Sequence, residues 1–329
     1  MIRSRALAIV TIVFALLSCT RAEETQTRAQ VRMNLNPSLS YGPFMVAQEE
    51  GYFAEEGIDV EFVRIDANSA LMSMTKGELD VLSGPVRSGI FNLMLRDVPL
   101  QIVADKGHSE PGPCSHEAFA APVAIADRIA ARGGDVRGER FALLRGGITE
   151  HLVEELLARR HAKLSDVELV QLPPGDYVTS VNRRIDAIRY IQEPNLTNFV
   201  SKGLMKIVAT AEEVSPGHQH GVVMYGRRLL NDRDLGVRFM RAYLRGVRRY
   251  NEGKTERNVA AISKHTKLPP DLIRSACWLR VANDGRVRPE AMQPLLDWAL
   301  KRAYLEGPIG VSQWWNPAFV DEANRTLAQ

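Results

Sequence analysis

Cysteine motifs, basic blocks and long apolar runs are all scarce in this chain of 329 residues. Its three cysteines, Cys19, Cys114 and Cys277, show no ligand-type spacing, so neither a structural zinc site nor a CxxC redox motif is indicated. The net charge of +3 and the pI near 8.8 come without a long Lys/Arg block, which argues against nucleic acid as a partner. No repeat or low-complexity tract interrupts the chain. No paired carboxylates or nucleophile–base spacing stands out, so an enzyme is not expected, nor a cofactor. The apolar run Ala6 to Leu17 is too short for a bilayer, which takes about 20 apolar residues.

That run follows Arg3 and Arg5 and reads as a secretory signal over residues 1–18. Leu16-Leu17-Ser18-Cys19 resembles a bacterial lipobox, with Cys19 as the lipid acceptor, although Leu17 is larger than the residue usual there. The lipobox is the favoured reading. Cleavage after Thr20-Arg21-Ala22, and Cys19 as one more apolar residue of the signal, stay open. Residues 19–30 are polar and without periodicity, as in a tether. Beyond them, Cys114 and Cys277 form one disulfide or remain two buried thiols; the sequence does not choose. A hydrophobic content of 45% over this length provides for a sizeable core and two lobes.

The mature part opens on a strand-like run, Val31 to Leu35, and a loop from Asn36 to Pro43. A helical stretch from Phe44 to Phe53 follows, then an alternating strand from Ile58 to Ile65. This is a βαβ pattern, whose strands lie parallel. Strand-to-helix transitions recur at Leu79–Ser83 and Leu100–Ala104, and again from Arg140 through Ile191. Ala118–Ile125 and His220–Tyr225 read as extended segments that carry the chain between lobes. From Asp232 onward the pattern is nearly all helical, with Pro269-Pro270 and Pro289 marking helix starts.

The stretches YGPFMVAQEEGYFAEEGIDVEFVRI, GELDVLSGP, LQIVADKG, LSDVELVQLPPGDYVTSV with IDAIRYIQEP, and RFMRAYLRGVRRYNEG together resemble the solute-binding proteins of ABC importers of the nitrate/sulfonate/taurine type, which share a fold with pyrimidine-precursor binding proteins. The resemblance runs in order from about Val31 to the last helices. It implies an α/β, bilobal periplasmic-binding-protein fold of type 2, with two crossovers and a helical C-terminal portion. Lobe 1 would comprise residues 31–119 and 222–329, and lobe 2 residues 120–221. The implied function is capture of a small organic molecule outside the cytoplasmic membrane by a lipid-anchored monomer that delivers it to permease and ATPase subunits. Enzymes on the same scaffold, and a sensory domain feeding a membrane partner, are the alternatives. Three departures bear on the ligand class: Arg183-Arg184 before the IDA strand, His161-Ala162-Lys163 after a helix, and His108 with Cys114 after the fourth strand.

The family would place ligand contacts at Ser40, Tyr41 and Gly42, at Gly84, Pro85 and Ser88, at the Gly147-Ile148-Thr149 turn, and at Gln192 and Glu193. Open α/β sheets bind at the same strand ends. The turns at Gly84 and at Gly146-Gly147 lead into helix N-termini, which favour an anion by about 0.3–1 kcal/mol each, so a carboxylate or sulfonate would need no dedicated cation. Tyr41 is read either as stacking on or donating to the ligand, or as packing on Pro43. Glu193 either accepts from the ligand or caps the next helix. Arg87 and Arg145 rank below the turns as anion clamps. His108 is included as lining the cleft. His218 and His220 are spaced like metal ligands but lack a third, and Cys114 with His116 is no better, so no metal is expected. The arginines from Arg238 to Arg249 read as a solvated basic face rather than a docking surface. Cys19→Ser is expected to move the protein from the membrane fraction to the soluble fraction of cells; unchanged fractionation would exclude the lipid anchor.

Overall fold

The computed structural model describes residues 28–65, 67–172, 177–183 and 185–328. Arg3, Arg5, Cys19, Arg184 and the signal and tether residues before Arg28 lie outside the described residues. The opening unit folds as its periodicity implies. β1 (Ala29–Asn34) and β2 (Ile58–Val63) run parallel, with Val31 opposite Val60 and Met33 opposite Phe62. β1 thus begins inside the stretch expected to be tether. The expected single helix is two, Gly42–Glu49 and Tyr52–Glu55, because Gly51 between them takes a left-handed φ of 77°.

β3 (Val81–Pro85) and β4 (Leu100–His108) complete the parallel part of the first sheet. The second is built from β5 (Glu117–Pro122), β6 (Arg140–Leu143), β7 (Glu168–Gln171), β8 (Ile188–Gln192) and β9 (Met205–Thr210). β10 (Gln219–Gly226) returns to the first. The sheet orders are β2-β1-β3-β10-β4 and β7-β6-β8-β5-β9. In each, the one antiparallel strand, β10 or β5, is the strand that has just crossed from the other lobe. The crossings are residues 109–116 and 211–218, so the expected lobe divisions at 119/120 and 221/222 fall inside β5 and β10. The segment expected to stay extended to Ile125 turns helical at Val123, and the helix Val123–Ala131 buries Ile125, Ala126 and Ile129.

The helical C-terminal portion packs on the first sheet. Helix Arg233–Asn251 lies against Gly42–Glu49, with Phe44 stacked on Tyr243 at 4.4 Å. A Cβ at Gly246 would sit 2.4 Å from the Pro43 carbonyl oxygen, so this approach requires glycine. The arginine stripe is not a solvated face. Arg241 pairs with Glu56 at 2.9 Å, Arg245 with Glu55 at 2.6 Å while lying over the Tyr52 ring, and Arg249 reaches Glu50 and Glu252. The acidic end of the opening unit thus neutralises the stripe from within.

Cys114, on the first crossover, is disulfide-bonded to Cys277, 163 residues away, with Cα atoms 5.8 Å apart. The crossovers are also tied by a buried carboxylate. Glu117 accepts from His220 Nδ1 (2.6 Å), from the Tyr190 hydroxyl (2.9 Å) and, more distantly, from His218 Nε2 (3.3 Å). Burial works to raise its pKa, but the charge of His220 and hydrogen bonds from both histidines hold it well below the usual carboxylate range. His218, whose burial works the other way, is raised by the same hydrogen bond. Neighbouring His116 is pushed down to about 4, first by burial and then by the charge of His220, with Glu117 opposing and Lys106 assisting.

Two outcomes follow from this hinge. Cys277→Ala is expected to cost about 2–4 kcal/mol, read as a lower melting temperature; an unchanged melt would mean the bridge adds nothing. For pH, His116 binds a proton in the unfolded chain near pH 6.5 but in the folded one only near 4. Stability therefore falls as pH drops through that window, by up to about 3 kcal/mol. The contribution of His218 is already complete below pH 6.5, and that of Glu117 is lost only below its unfolded pKa near 4.5. The slope of melting temperature between pH 6.5 and 5 should flatten in His116→Gln; His151, also depressed by burial, adds a slope of the same sign, and Glu193, raised by burial, one of the opposite sign. A variant with the wild-type slope would exclude His116.

Candidate functional site

Parallel strands that end at one edge bring loops from distant sequence to that edge, and the expected residues lie there. Tyr41 and Gly42 follow β1, Gly84 and Pro85 close β3, and Ser88 opens the helix Ser88–Leu95. His108 ends β4, Gly147 is the N-cap and Thr149 the second residue of the helix Ile148–Arg159, and Gln192 ends β8 just before Glu193. Two of these groups meet across the lobes. Ser88 donates to the Gly146 carbonyl from its hydroxyl (2.8 Å) and its backbone N–H (3.3 Å), and Arg87 forms an antiparallel bridge with Gly147. The Glu193 carboxylate, on the second sheet, accepts from the Cys277 N–H at 3.0 Å. Tyr304 donates to Glu150 at 3.1 Å and Trp298 to Glu154 at 2.8 Å, which joins the C-terminal helices to lobe 2.

The turns are engaged differently from the expectation of two open anion seats. Glu150 accepts the Gly146 N–H at 2.8 Å, so the helix Ile148–Arg159 brings its own carboxylate to its N-terminus. Gly84 needs no glycine for space, since an added Cβ would meet only Leu82 at 3.6 Å. The crowded positions are Gly42, where a Cβ would lie 2.4 Å from the Tyr250 ring, and Gly221, where it would lie 2.8 Å from the Gly84 carbonyl oxygen and 3.2 Å from Lys106 Cδ.

Tyr41 turns inward. Its hydroxyl donates to the Ser83 carbonyl (2.5 Å) and accepts from Asn34 (2.9 Å), and burial raises its pKa. What it presents is its ring face, 4.2 Å from the Lys106 ammonium. Glu193 caps: it accepts the Thr197 N–H (3.0 Å) and hydroxyl (2.6 Å), and burial raises its pKa despite these bonds. His108 stands between Asp105 (3.1 Å) and Glu110 (2.9 Å); burial opposes its protonation, yet these carboxylates raise its pKa. It lines a cavity of about 430 Å³ with His116, Lys254, Tyr250, Trp278 and Arg280. Thr149, in the first turn of its helix, and Gln192, at the end of β8, are half-buried.

Sequence reasoning passed over Lys106 and Glu117, and weighed His116 only as a metal ligand; with Ser40 of the expected contact loop, all are buried at this edge. The available signal was the Asp105-Lys106 pair directly following the apolar run LQIVA: β4 continues through both to His108, placing two charges inside a buried strand. Among the described residues no group of three or more His, Cys, Asp or Glu side chains is arranged to hold a metal, and His218 and His220 grip Glu117 instead.

Several known proteins share this architecture. A Bacillus subtilis (strain 168) protein named "Putative binding protein YtlA" is 22% identical over 90% of this chain and 87% of its own. The ligand-binding component of an ABC-type import system from Staphylococcus aureus, solved with zinc bound, superposes with a TM-score of 0.75 at 16% identity, covering 91% of this chain and all of that one. The periplasmic nitrate-binding protein NrtA from Synechocystis PCC 6803 gives 0.74 at 15% identity, over 92% and 89% of the two chains. The desulfurization enzyme DSZB gives 0.64 at 13% identity, over 91% and 100%. These likenesses establish the bilobal periplasmic-binding-protein fold. The family model described as "NMT1/THI5 like" matches residues 38–252, and on that match the chain belongs to the NMT1/THI5-like family.

Proposed function

We propose that this protein is the extracytoplasmic solute-binding component of an ABC importer, which closes its two lobes on a small polar or anionic organic molecule and delivers it to permease and ATPase subunits. The observation that carries the reading is the polar contact of loops across the lobes, Ser88 with Gly146 and Glu193 with Cys277. Loops at a clamp's mouth meet in this way when it is shut, and the two crossovers are the natural hinge. The working parts are the residue groups at the edge: Tyr41-Gly42, Gly84-Pro85 with Ser88, His108, Gly147 with Thr149, and Gln192-Glu193.

Capture is favoured over chemistry because the buried carboxylates here are occupied. Both oxygens of Glu117 and of Glu193 accept from protein donors, which leaves neither placed as a general base. DSZB shows that the fold also carries an enzyme, and the Ser40 hydroxyl stands 2.7 Å from the Lys106 amine, so catalysis is the second reading. An exported, lipid-anchored monomer completes the proposal. Among the described residues no helix is long and apolar enough to cross a membrane, so contact with one would rest on Cys19.

The test is a thermal-shift screen of the purified protein against nitrate, sulfonates, aromatic carboxylates and pyrimidines. A ligand present at one hundred times its Kd is expected to add about 2.7 kcal/mol of stability. A broad screen without a shift would remove the reading.

A further inference from the structure

Lys106 is the one lysine at the strand-end edge that is fully enclosed, at 2% exposure. Its Nζ donates to the Ser40 hydroxyl at 2.7 Å and stands 4.2 Å from the centre of the Tyr41 ring. Gly221 leaves room for its stem, since a Cβ there would lie 3.2 Å from Lys106 Cδ. Among the described residues it forms no ion pair. The two carboxylates whose charge reaches it, Asp105 and Glu117, are taken by other donors. Asp105 accepts from the N–H groups of Gly107 (2.6 Å) and Ala282 (2.7 Å), from Gln219 (2.6 Å) and from His108. Glu117 is gripped by His218, His220 and Tyr190.

A buried ammonium without a counter-ion is costly, and a hydroxyl with a ring face does not replace a carboxylate. Burial accordingly pushes its pKa down to about 7. A second unmet group lies close by. His116 donates from Nδ1 to the Cys277 carbonyl at 2.9 Å, and its buried Nε2 has no partner; Lys106 is near enough to act on its titration. Both side chains stand where the two sheets converge, with Lys106 between the Ser40-Tyr41 loop and the start of β10.

We propose that Lys106 is the anion anchor of the cleft: its ammonium, steadied by Ser40 and Tyr41, takes the carboxylate or sulfonate group of the captured solute. This rests on the solute-binding reading above and gives the ligand a charge. It also replaces the idea that helix ends alone suffice, because the N-terminus at Gly146 is already served by Glu150.

The experiment measures binding by wild type, Lys106→Met and Lys106→Arg, using acid and amide pairs of nearly equal shape: methanesulfonate with methanesulfonamide, and benzoate with benzamide, beside the broad screen. The wild type is expected to respond to acids and not to their amides. Lys106→Met should lose at least tenfold in affinity for whichever oxyanion binds, while its unliganded melting temperature equals or exceeds that of the wild type. Lys106→Arg keeps the charge and should retain more of the binding than Met does. If Lys106→Met does not fold, Lys106→Gln carries the same comparison. Oxyanion affinity in the Met or Gln variant within threefold of wild type overturns the anchor. A wild type that answers only to neutral or cationic solutes also overturns it and leaves the solute-binding reading standing. A wild type that answers to nothing takes both.

Discussion

The carboxylate of Glu117 is where the two lobes are knotted. It opens β5 in the second sheet and is gripped by His220 from β10 in the first, by His218 at the end of the other crossover, and by Tyr190 from β8. A buried carboxylate is tolerated only when its lone pairs are filled, and removing one partner leaves an uncompensated charge costing several kcal/mol. Both crossovers are thus bound to a single group that cannot be half-satisfied. The disulfide from Cys114 to Cys277 adds a covalent tie on the same crossover. A hinge fixed this firmly at one point can still rotate about it, which is what a clamp needs.

What the sequence disclosed follows from which features are periodic. The opening βαβ unit was legible because alternation in Ile58–Val63 and helical spacing after Pro43 are local properties. The two returning strands were legible as apolar extended segments, though their ends were displaced: Glu117 and Gln219 are polar residues at strand starts, and Val123 passes from strand to helix without a glycine or proline to mark it. The strand-end edge was legible as a place. The polar partners at that edge were not, since periodicity says which face a residue lies on and nothing about whether its polar end is already taken. Tyr41 lies in the expected loop, yet its hydroxyl belongs to Ser83 and Asn34. The Cys114–Cys277 pairing and the neutralisation of the arginine stripe by Glu50, Glu55 and Glu56 join residues far apart in sequence, so no local pattern encodes them.

The helix ends show the same limit from the other side. A glycine turn before a helix signals an anion seat on physical grounds that remain sound. At Gly146 the chain itself fills the seat with Glu150, a residue of the same helix one turn on. Glu150 also accepts from Tyr304 of the C-terminal portion, so its carboxylate serves a helix end and an interlobe contact at once. A ligand anion approaching this turn meets a negative charge. An anion approaching Ser40 and Lys106 meets an amine that, among the described residues, forms no ion pair.

The closed contacts also bound how easily the clamp opens. Those across the lobes are mostly polar: the Ser88 hydroxyl and N–H to Gly146, Cys277 to Glu193, Tyr304 to Glu150, and Trp298 with Arg302 to Glu154. Each contributes on the order of 1 kcal/mol net, because water replaces it on opening. Opening the lobes would exchange these bonds for bonds to water. Moving such an equilibrium from mostly open to nearly fully closed requires about 5.5 kcal/mol of preference for the closed form. A charge-assisted hydrogen bond to Lys106 would contribute to that preference twice, by its own formation and by relieving the enclosed ammonium.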